Sequence, residues 1–283
     1  MTVSIETAIQ KGAEQLRQGS VTEARREAGS LLAHVLKRDR GFAIAHGGDS
    51  LADAQYQNFL LLISRRMRGE PLQYLTGHRE FFKLDFEVSP DVLIPRPETE
   101  LIVEAALELC RDDPAPFIAD IGTGSGCIVI SLLHELPEAK AVATDISLAA
   151  LQVAQRNAEH HGVSGRLTLV ESDCFAAVCQ TRPFSLIASN PPYVSDDDLE
   201  LVPREVRFEP RAALAGGPDG LSTIRRLLAE ARPFIRSGGY LVFEIGFGQS
   251  ESVAKLIDRH VWDLIEIRND LQDIPRTFVL QGK

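Results

Sequence analysis

The stretch Ser189-Asn190-Pro191-Pro192-Tyr193 gathers groups that suit one chemical task. Asn190 brings a carboxamide oxygen, Pro191 a backbone carbonyl and Tyr193 an aromatic face. Pro191 and Pro192 stiffen the backbone and push Asn190 toward an extended conformation. Two acceptors held in this way can take both hydrogens of a planar NH2 group while the ring stacks on its plane. Such a nitrogen is a weak nucleophile because its lone pair is delocalised. Presenting its face to an electrophile is therefore the main help a protein can give. A strong base is not needed early, since the proton can leave after the new bond has formed. The competing reading is a sharp structural turn.

A second cluster, Asp120-Ile121-Gly122-Thr123-Gly124-Ser125-Gly126, follows a short apolar run and precedes an apolar helical stretch. Glycines at a strand-to-helix turn permit tight backbone angles and close approach of a ligand, although a structural turn alone can also use them. The dinucleotide fingerprint does not fit, because its third glycine position falls on Cys127. Asp120 would also repel a pyrophosphate, whereas it favours the ammonium and sulfonium of S-adenosyl-L-methionine. Asp145 ends the next strand, 23 residues beyond Gly122, and suits both hydroxyls of a ribose or, alternatively, a helix cap before Ser147. Asp173 follows the third strand and suits an adenine amino group. These sites imply transfer of methyl from S-adenosyl-L-methionine to an amide or amino nitrogen, leaving S-adenosyl-L-homocysteine. A protein glutamine and the N6 of adenine in nucleic acid are both open as acceptors. A small-molecule N-methyltransferase and a cofactor-binding module without catalysis are further alternatives.

Bulk properties narrow the field. The chain has 283 residues, 44% hydrophobic and 25% charged, with a net charge of −10. Residues 1–83 carry 12 Lys/Arg against 9 Asp/Glu, and the rest 18 against 31. So acidic a remainder is a poor match for duplex DNA, and no direct DNA binding is expected. Cys110, Cys127, Cys174 and Cys179 lack paired spacing, and the seven histidines are scattered, so reduced thiols and no metal are expected. The first residues have neither a basic nor a long apolar region. Ile128-Val-Ile-Ser-Leu-Leu133, among the longest apolar stretches, falls far short of a bilayer span. A cytoplasmic protein without a membrane partner is the expectation.

The elements that must position these residues can be read from periodicity. Residues 1–83 predict a small all-helical domain. Ile5, Ala8, Ile9, Ala13 and Leu16 recur at helical spacing. Ser20-Val-Thr-Glu23 reads as a capping box opening a helix that buries Ala24, Ala28, Leu31, Leu32, Val35 and Leu36. A further helix from about Ser50 is expected to bury Phe59, Leu60, Leu61 and Ile63. Arg65, Arg66 and Arg68 suit its negative end, either solvated or facing a partner. Residues 84–115 predict a connecting β-hairpin, a linker and a first helix. From 116 to 283, short apolar runs alternate with helical stretches, giving about seven strands in a doubly wound α/β sheet. Ligands of such sheets bind beyond the carboxyl ends of the strands.

The motifs together resemble a known family. The pair Asp120–Gly126 and Ser189–Tyr193 is similar to class I methyltransferases of planar nitrogens. Gly77-His-Arg-Glu-Phe-Phe82, Ile94-Pro-Arg-Pro-Glu-Thr-Glu100, Phe208-Glu-Pro-Arg-Ala-Ala-Leu214 with Gly217 and Asp219-Gly220-Leu221, and Phe243-Glu-Ile-Gly246 resemble the HemK/PrmC family over nearly the whole chain. The resemblance implies a Rossmann-like, seven-stranded class I methyltransferase fold with a five-helix leading domain. It also implies methylation of N5 of the glutamine in the Gly-Gly-Gln motif of class 1 peptide chain release factors. By that resemblance, Gly122 to Gly126 and Asp145 bind the cofactor and Asn190 to Tyr193 hold the glutamine. Cys174 stands where the family often has a bulky residue near adenine. Asp270-Leu-Gln-Asp273 ends in Asp where the family has Gly. The long acidic segment from Val194 to Gly220, with the helical domain, is expected to grip the release factor.

Overall fold

The computed structural model of the chain describes residues 3–179 and 182–283. It divides into two compact units, Met1–His78 with Pro203–Phe208, and Arg79–Val202 with Glu209–Lys283.

In the first unit, α1 (Ile5–Gln18) starts at Ser4, whose hydroxyl accepts from the Thr7 N–H, and α2 (Ala24–Leu36) packs beside it. The short α3 (Arg40–Ala45), then α4 (Asp53–Met67) and α5 (Leu72–Thr76), complete the unit around Leu16, Leu31, Leu32, Phe59 and Ile63. The expected capping box at Ser20 does not form. Ser20 takes φ +63° and donates to the Arg17 carbonyl, while Val21 donates to that of Leu16. The tetrapeptide thus closes α1 instead of opening α2, whose N-cap Glu23 makes no side-chain capping bond. On α4 the inward stripe is Phe59, Leu62, Ile63 and Arg66, the i, i+3, i+4, i+7 face of a helix. Leu61 falls off that face and is 57% exposed, contrary to the expectation of burial.

Arg66 is neither solvated nor free for a partner. It is 4% exposed, with Nε 2.5 Å from Glu27 Oε2 and Nη2 2.6 Å from Glu205 Oε1. Arg204, in the same returning segment, donates to the Met67 carbonyl and lays its stem over Gly69.

The hairpin of β1 (His78–Phe81) and β2 (Leu84–Glu87) begins at the last residue of the leading stretch and runs into the second unit. Phe82 and Lys83 turn it at φ +48° and +63°, the double positive φ of a type I′ connection. There follow α6 (Glu100–Leu109), β3 (Phe117–Ile121), α7 (Cys127–Glu135), β4 (Lys140–Asp145), α8 (Leu148–His160), β5 (Leu167–Glu171) and β6 (Phe184–Ser189). Then come α9 (Arg211–Leu214), α10 (Ser222–Glu230), β7 (Ile235–Glu244), α11 (Ser250–Leu256), β8 (Trp262–Asn269) and β9 (Pro275–Gly282). The seven-stranded sheet runs β5-β4-β3-β6-β7-β9-β8, with β9 antiparallel to both neighbours and the other pairings parallel. All six residues of β6 are buried, which is why its sequence is an unbroken small-and-apolar run.

The chain steps outward from β3 to β4 and β5, then crosses to the other flank of β3 as β6. At that reversal the connections leave in opposite directions and open a crevice at the carboxyl ends of β3 and β6. Between β8 and β9, the Asp270–Asp273 turn closes without the family's glycine. Asp273 sits at φ +62°, donates its N–H to the Asp270 carbonyl, and accepts from Asn269 Nδ2 at 2.7 Å.

Candidate functional site

The two motifs singled out in the sequence meet at this crevice. The loop after β3 is tied down from both sides. Gly122 and Thr123 donate their N–H groups to the Thr144 carbonyl at 2.9 and 2.8 Å, and Ser189 Oγ donates to the Ile121 carbonyl at 2.7 Å. Asn157, buried on α8, holds the loop from below by donating to the Ser125 carbonyl at 2.9 Å. Gly122, Gly124 and Gly126 all have positive φ (77°, 55° and 82°), which L side chains rarely adopt. A Cβ on Gly122 or Gly124 would meet nothing within 4 Å, whereas one on Gly126 would lie 2.7 Å from Ile130 Cδ1. The first two glycines therefore face open space, and the third fits against α7.

That open space is a cavity of about 340 Å³, in the range of small-ligand sites. Gly122, Thr123, Gly124, Ser125, Asp145, Asp173, Cys174, Asn190, Pro191 and Pro192 line it. Asp120, Gly126 and Tyr193 lie behind the wall instead.

Asp145 is the hub of the cofactor side. Oδ2 accepts from the Gly124 N–H and Oδ1 from the Ser147 N–H, each at 2.9 Å. A carboxylate offers about four acceptor directions, so two remain for a diol. Burial raises its pKa, and the backbone N–H bonds counteract that only in part. Ser147 Oγ, not Asp145, caps α8 by accepting from the Ala150 N–H. Asp173 is exposed and paired through Oδ1 with Arg226 at 2.6 Å, an ion pair the sequence reading lacked. Cys174 beside it stands at φ +50° with its thiol pKa raised by burial.

Asp120 is fully buried beneath the loop. Oδ2 accepts from Thr123 Oγ1 at 2.7 Å, while Oδ1 has no hydrogen-bond partner. Burial pushes its pKa up to about 7, with the negative charge of Asp145 adding to the effect. An orphaned acidic oxygen at this depth suits a site that receives a cation, since a nearby positive charge would offset its desolvation. The residues present thus fit S-adenosyl-L-methionine: glycines leaving room, a carboxylate with two spare acceptor directions, and net negative potential.

Behind Asn190 lies a network that no local motif revealed. Asn190 Nδ2 donates to Thr99 Oγ1 at 3.0 Å, and Thr99 Oγ1 donates to Glu244 Oε2 at 2.6 Å. The Tyr193 hydroxyl donates to Glu244 Oε1 at 3.1 Å. Glu244 is 1% exposed, and burial raises its pKa to about 7. Burial, with the neighbouring Glu244 charge, also raises that of Tyr193. Gln249 accepts from the Gly246 N–H at 2.8 Å and donates to the Tyr193 carbonyl at 2.9 Å. The runs around Thr99 and Glu244 carry the family resemblance in the sequence, but nothing at that level joins residues 145 positions apart. Nearby, Glu209 accepts from the Ile94 N–H at 3.1 Å and pairs with Arg96, fixing the segment that leads to Thr99.

Residues 7–77 match the PrmC N-terminal domain and residues 99–207 the methyltransferase small domain. A release factor glutamine methyltransferase of Moorella thermoacetica is 45% identical over 254 residues, 90% of this chain and 89% of its own length. Its counterpart from Burkholderia pseudomallei is 43% identical over 254 residues, covering 88% of this chain and 89% of its own. Among solved structures, the hMettl16 catalytic domain in complex with MAT2A 3'UTR hairpin 1 superposes with a TM-score of 0.60. It is 13% identical and covers 89% of this chain and 90% of that one, a likeness of fold.

Proposed function

This chain belongs to the release factor glutamine methyltransferase family, and from that premise we propose that it methylates N5 of the glutamine in the Gly-Gly-Gln motif of class 1 peptide chain release factors. The observation that carries the reading is the orientation of Asn190. Its NH2 is turned back to Thr99, which leaves Oδ1 to accept from a substrate N–H on the wall shared with the glycine loop. The Pro191 carbonyl is the proposed second acceptor.

S-adenosyl-L-methionine would supply a methyl carbon made electrophilic by its positively charged sulfur, leaving S-adenosyl-L-homocysteine. The residues of the chain orient the other reactant. With both N–H bonds engaged, the amide nitrogen turns its face toward that carbon, a gain of positioning alone. The nitrogen's proton then passes to solvent. Gly122 to Ser125 with Asp145 are the proposed ribose and backbone contacts, Gly126 shapes the loop behind them, Asp173 and Cys174 flank the adenine, and Asp120 acts through the field behind Thr123. The Tyr193 ring, proposed from sequence to stack on the amide, contributes here by its hydroxyl bond to Glu244.

Residues 1–83 are the proposed recognition domain, 84–115 the connection and 116–283 the catalytic domain, with the 194–220 segment assisting recognition. A translation factor as substrate supports the proposed cytoplasmic location. Among the described residues no helix is long and apolar enough to cross a membrane. The acidic balance of residues 84–283 disfavours duplex DNA as an alternative acceptor.

The test is mass spectrometry of a class 1 release factor incubated with this protein and S-adenosyl-L-methionine. One methyl is expected on the Gly-Gly-Gln glutamine. A methyl elsewhere, or none, would overturn the assignment.

A further inference from the structure

The three groups behind Asn190 form a chain of hydrogen bonds whose polarity is set at one end. Glu244, when ionised, can only accept, and it is buried with both carboxylate oxygens engaged, Oε2 by Thr99 and Oε1 by Tyr193. Thr99 has a single hydroxyl hydrogen, and it is committed to Glu244. Its oxygen must therefore accept from its other neighbour, Asn190, which can only meet it with the NH2 end of the carboxamide.

We propose that Glu244, acting through Thr99, is a positioning residue that dictates which end of the Asn190 carboxamide faces the cavity. The inference rests on the reading that this cavity receives an NH2-bearing substrate. An Asn carboxamide has two ends of nearly equal shape, so packing alone chooses poorly between them. Turned over, Asn190 would set Oδ1 against Thr99 Oγ1 with no hydrogen between them, unless Thr99 withdrew its hydrogen and left Glu244 Oε2 bare in the interior. Leaving such a group unmet is strongly unfavourable. Turned over, it would also present NH2 to the NH2 of the substrate, donor against donor. The Tyr193 hydroxyl steadies the far side of the same carboxylate. The acceptor that meets the substrate is thus specified by a carboxylate that never touches it.

The decisive variant is Glu244→Gln. Its side chain brings an NH2 of its own, can donate to Thr99, and so frees the threonine hydrogen for Asn190 Oδ1, making both orientations permissible. With a class 1 release factor and saturating S-adenosyl-L-methionine, kcat should fall at least tenfold while the Kd for S-adenosyl-L-homocysteine stays within twofold. Thr99→Val should cause a similar fall, and Thr99→Ser should recover most of it, because the hydroxyl is what transmits the polarity. The double variant Thr99→Val/Glu244→Gln should lose little beyond either single one. Wild-type turnover in Glu244→Gln would overturn the proposal. If that variant does not fold, Thr99→Ser failing to outperform Thr99→Val would do the same.

A second readout does not depend on activity. The Asn190 side-chain NH2 resonances, assigned by their loss in Asn190→Asp, should shift and exchange faster in both Thr99→Val and Glu244→Gln. Unchanged spectra would refute the positioning role even if the wild-type enzyme proved not to methylate release factors. Loss of wild-type methylation with altered spectra would instead fault the functional assignment alone.

Discussion

Replacing Asp145 by Asn tests whether its carboxylate is the anchor of the cofactor. The side chain keeps its shape but exchanges one acceptor oxygen for a donor. In the native site one oxygen faces the Gly124 N–H and the other the Ser147 N–H, each at 2.9 Å. Whichever way the new carboxamide turns, its NH2 confronts a backbone N–H. A ribose hydroxyl can rotate to accept from that NH2, but a backbone amide cannot. One charge-assisted bond is therefore lost in every arrangement, and the remaining ones become neutral. The backbone bond is missing with and without ligand, so the Kd reports the proposed ribose bonds, which now go to a neutral amide. A bond to a charged group contributes about 1.5–3 kcal/mol, so the Kd for S-adenosyl-L-homocysteine should rise about 10- to 150-fold. Isothermal titration calorimetry measures this directly. A folded Asp145→Asn variant that bound within twofold of wild type would refute the ribose role.

The other outcomes bear on separate parts of the site. Asn190→Ala should leave that Kd nearly unchanged and lower methyl transfer by about 100-fold, if its role is positioning; a near-normal kcat would contradict it. Because Glu244 titrates at about 7 among Thr99, Tyr193, Arg276 and Glu98, kcat should rise with pH through that value, and the inflection should vanish in Glu244→Gln. Asp120 has its folded pKa raised from 3.8 to about 7, so its contribution to stability is complete below the lower value and lost as pH rises through the higher one. Asp120→Asn should therefore gain thermal stability relative to wild type as pH rises from about 4 to about 7, by up to a few kcal/mol; a pH-independent difference would exclude this. Gly126→Ala combines φ +82° with a Cβ 2.7 Å from Ile130, and should lose more than about 1 kcal/mol in urea unfolding.

The sequence conveyed most where chemistry and periodicity coincide along a short stretch. The glycine loop, Asp145 and Asn190 sit at the ends of β3, β4 and β6, neighbours in the sheet, and the strand–helix alternation gave the order in which they appear. Asn190 to Tyr193 were legible as a rigid array, yet the division of labour within it was not. Tyr193 turns toward Glu244, and only the pairing of β6 with β7 brings residues 51 positions apart within bonding range. Asp120 stands two residues before Gly122 in the sequence, but its burial behind the cavity wall depends on how α7 and β4 close over it. Local signals also competed. Ser20 to Glu23 has the composition of a capping box, but the chain needs a tight exit from α1, and Ser20 serves that need in a left-handed conformation. Arg66 looked like a helix-end cation because its two carboxylate partners come from Glu27 and Glu205, 39 and 139 positions away.

The short return of Pro203–Phe208 into the leading unit bears on how such proteins can be taken apart and recombined. A fragment ending at residue 83 would carry Glu27 but forfeit Glu205, leaving the interior guanidinium of Arg66 with half of its counter-charge and Gly69 without the Arg204 stem above it. The helices are thus not a self-sufficient cassette. A crossover at a single breakpoint between two relatives would separate a buried cation from one of its anions. Exchange without loss of stability calls for both stretches to travel together, as one inherited block written in two places.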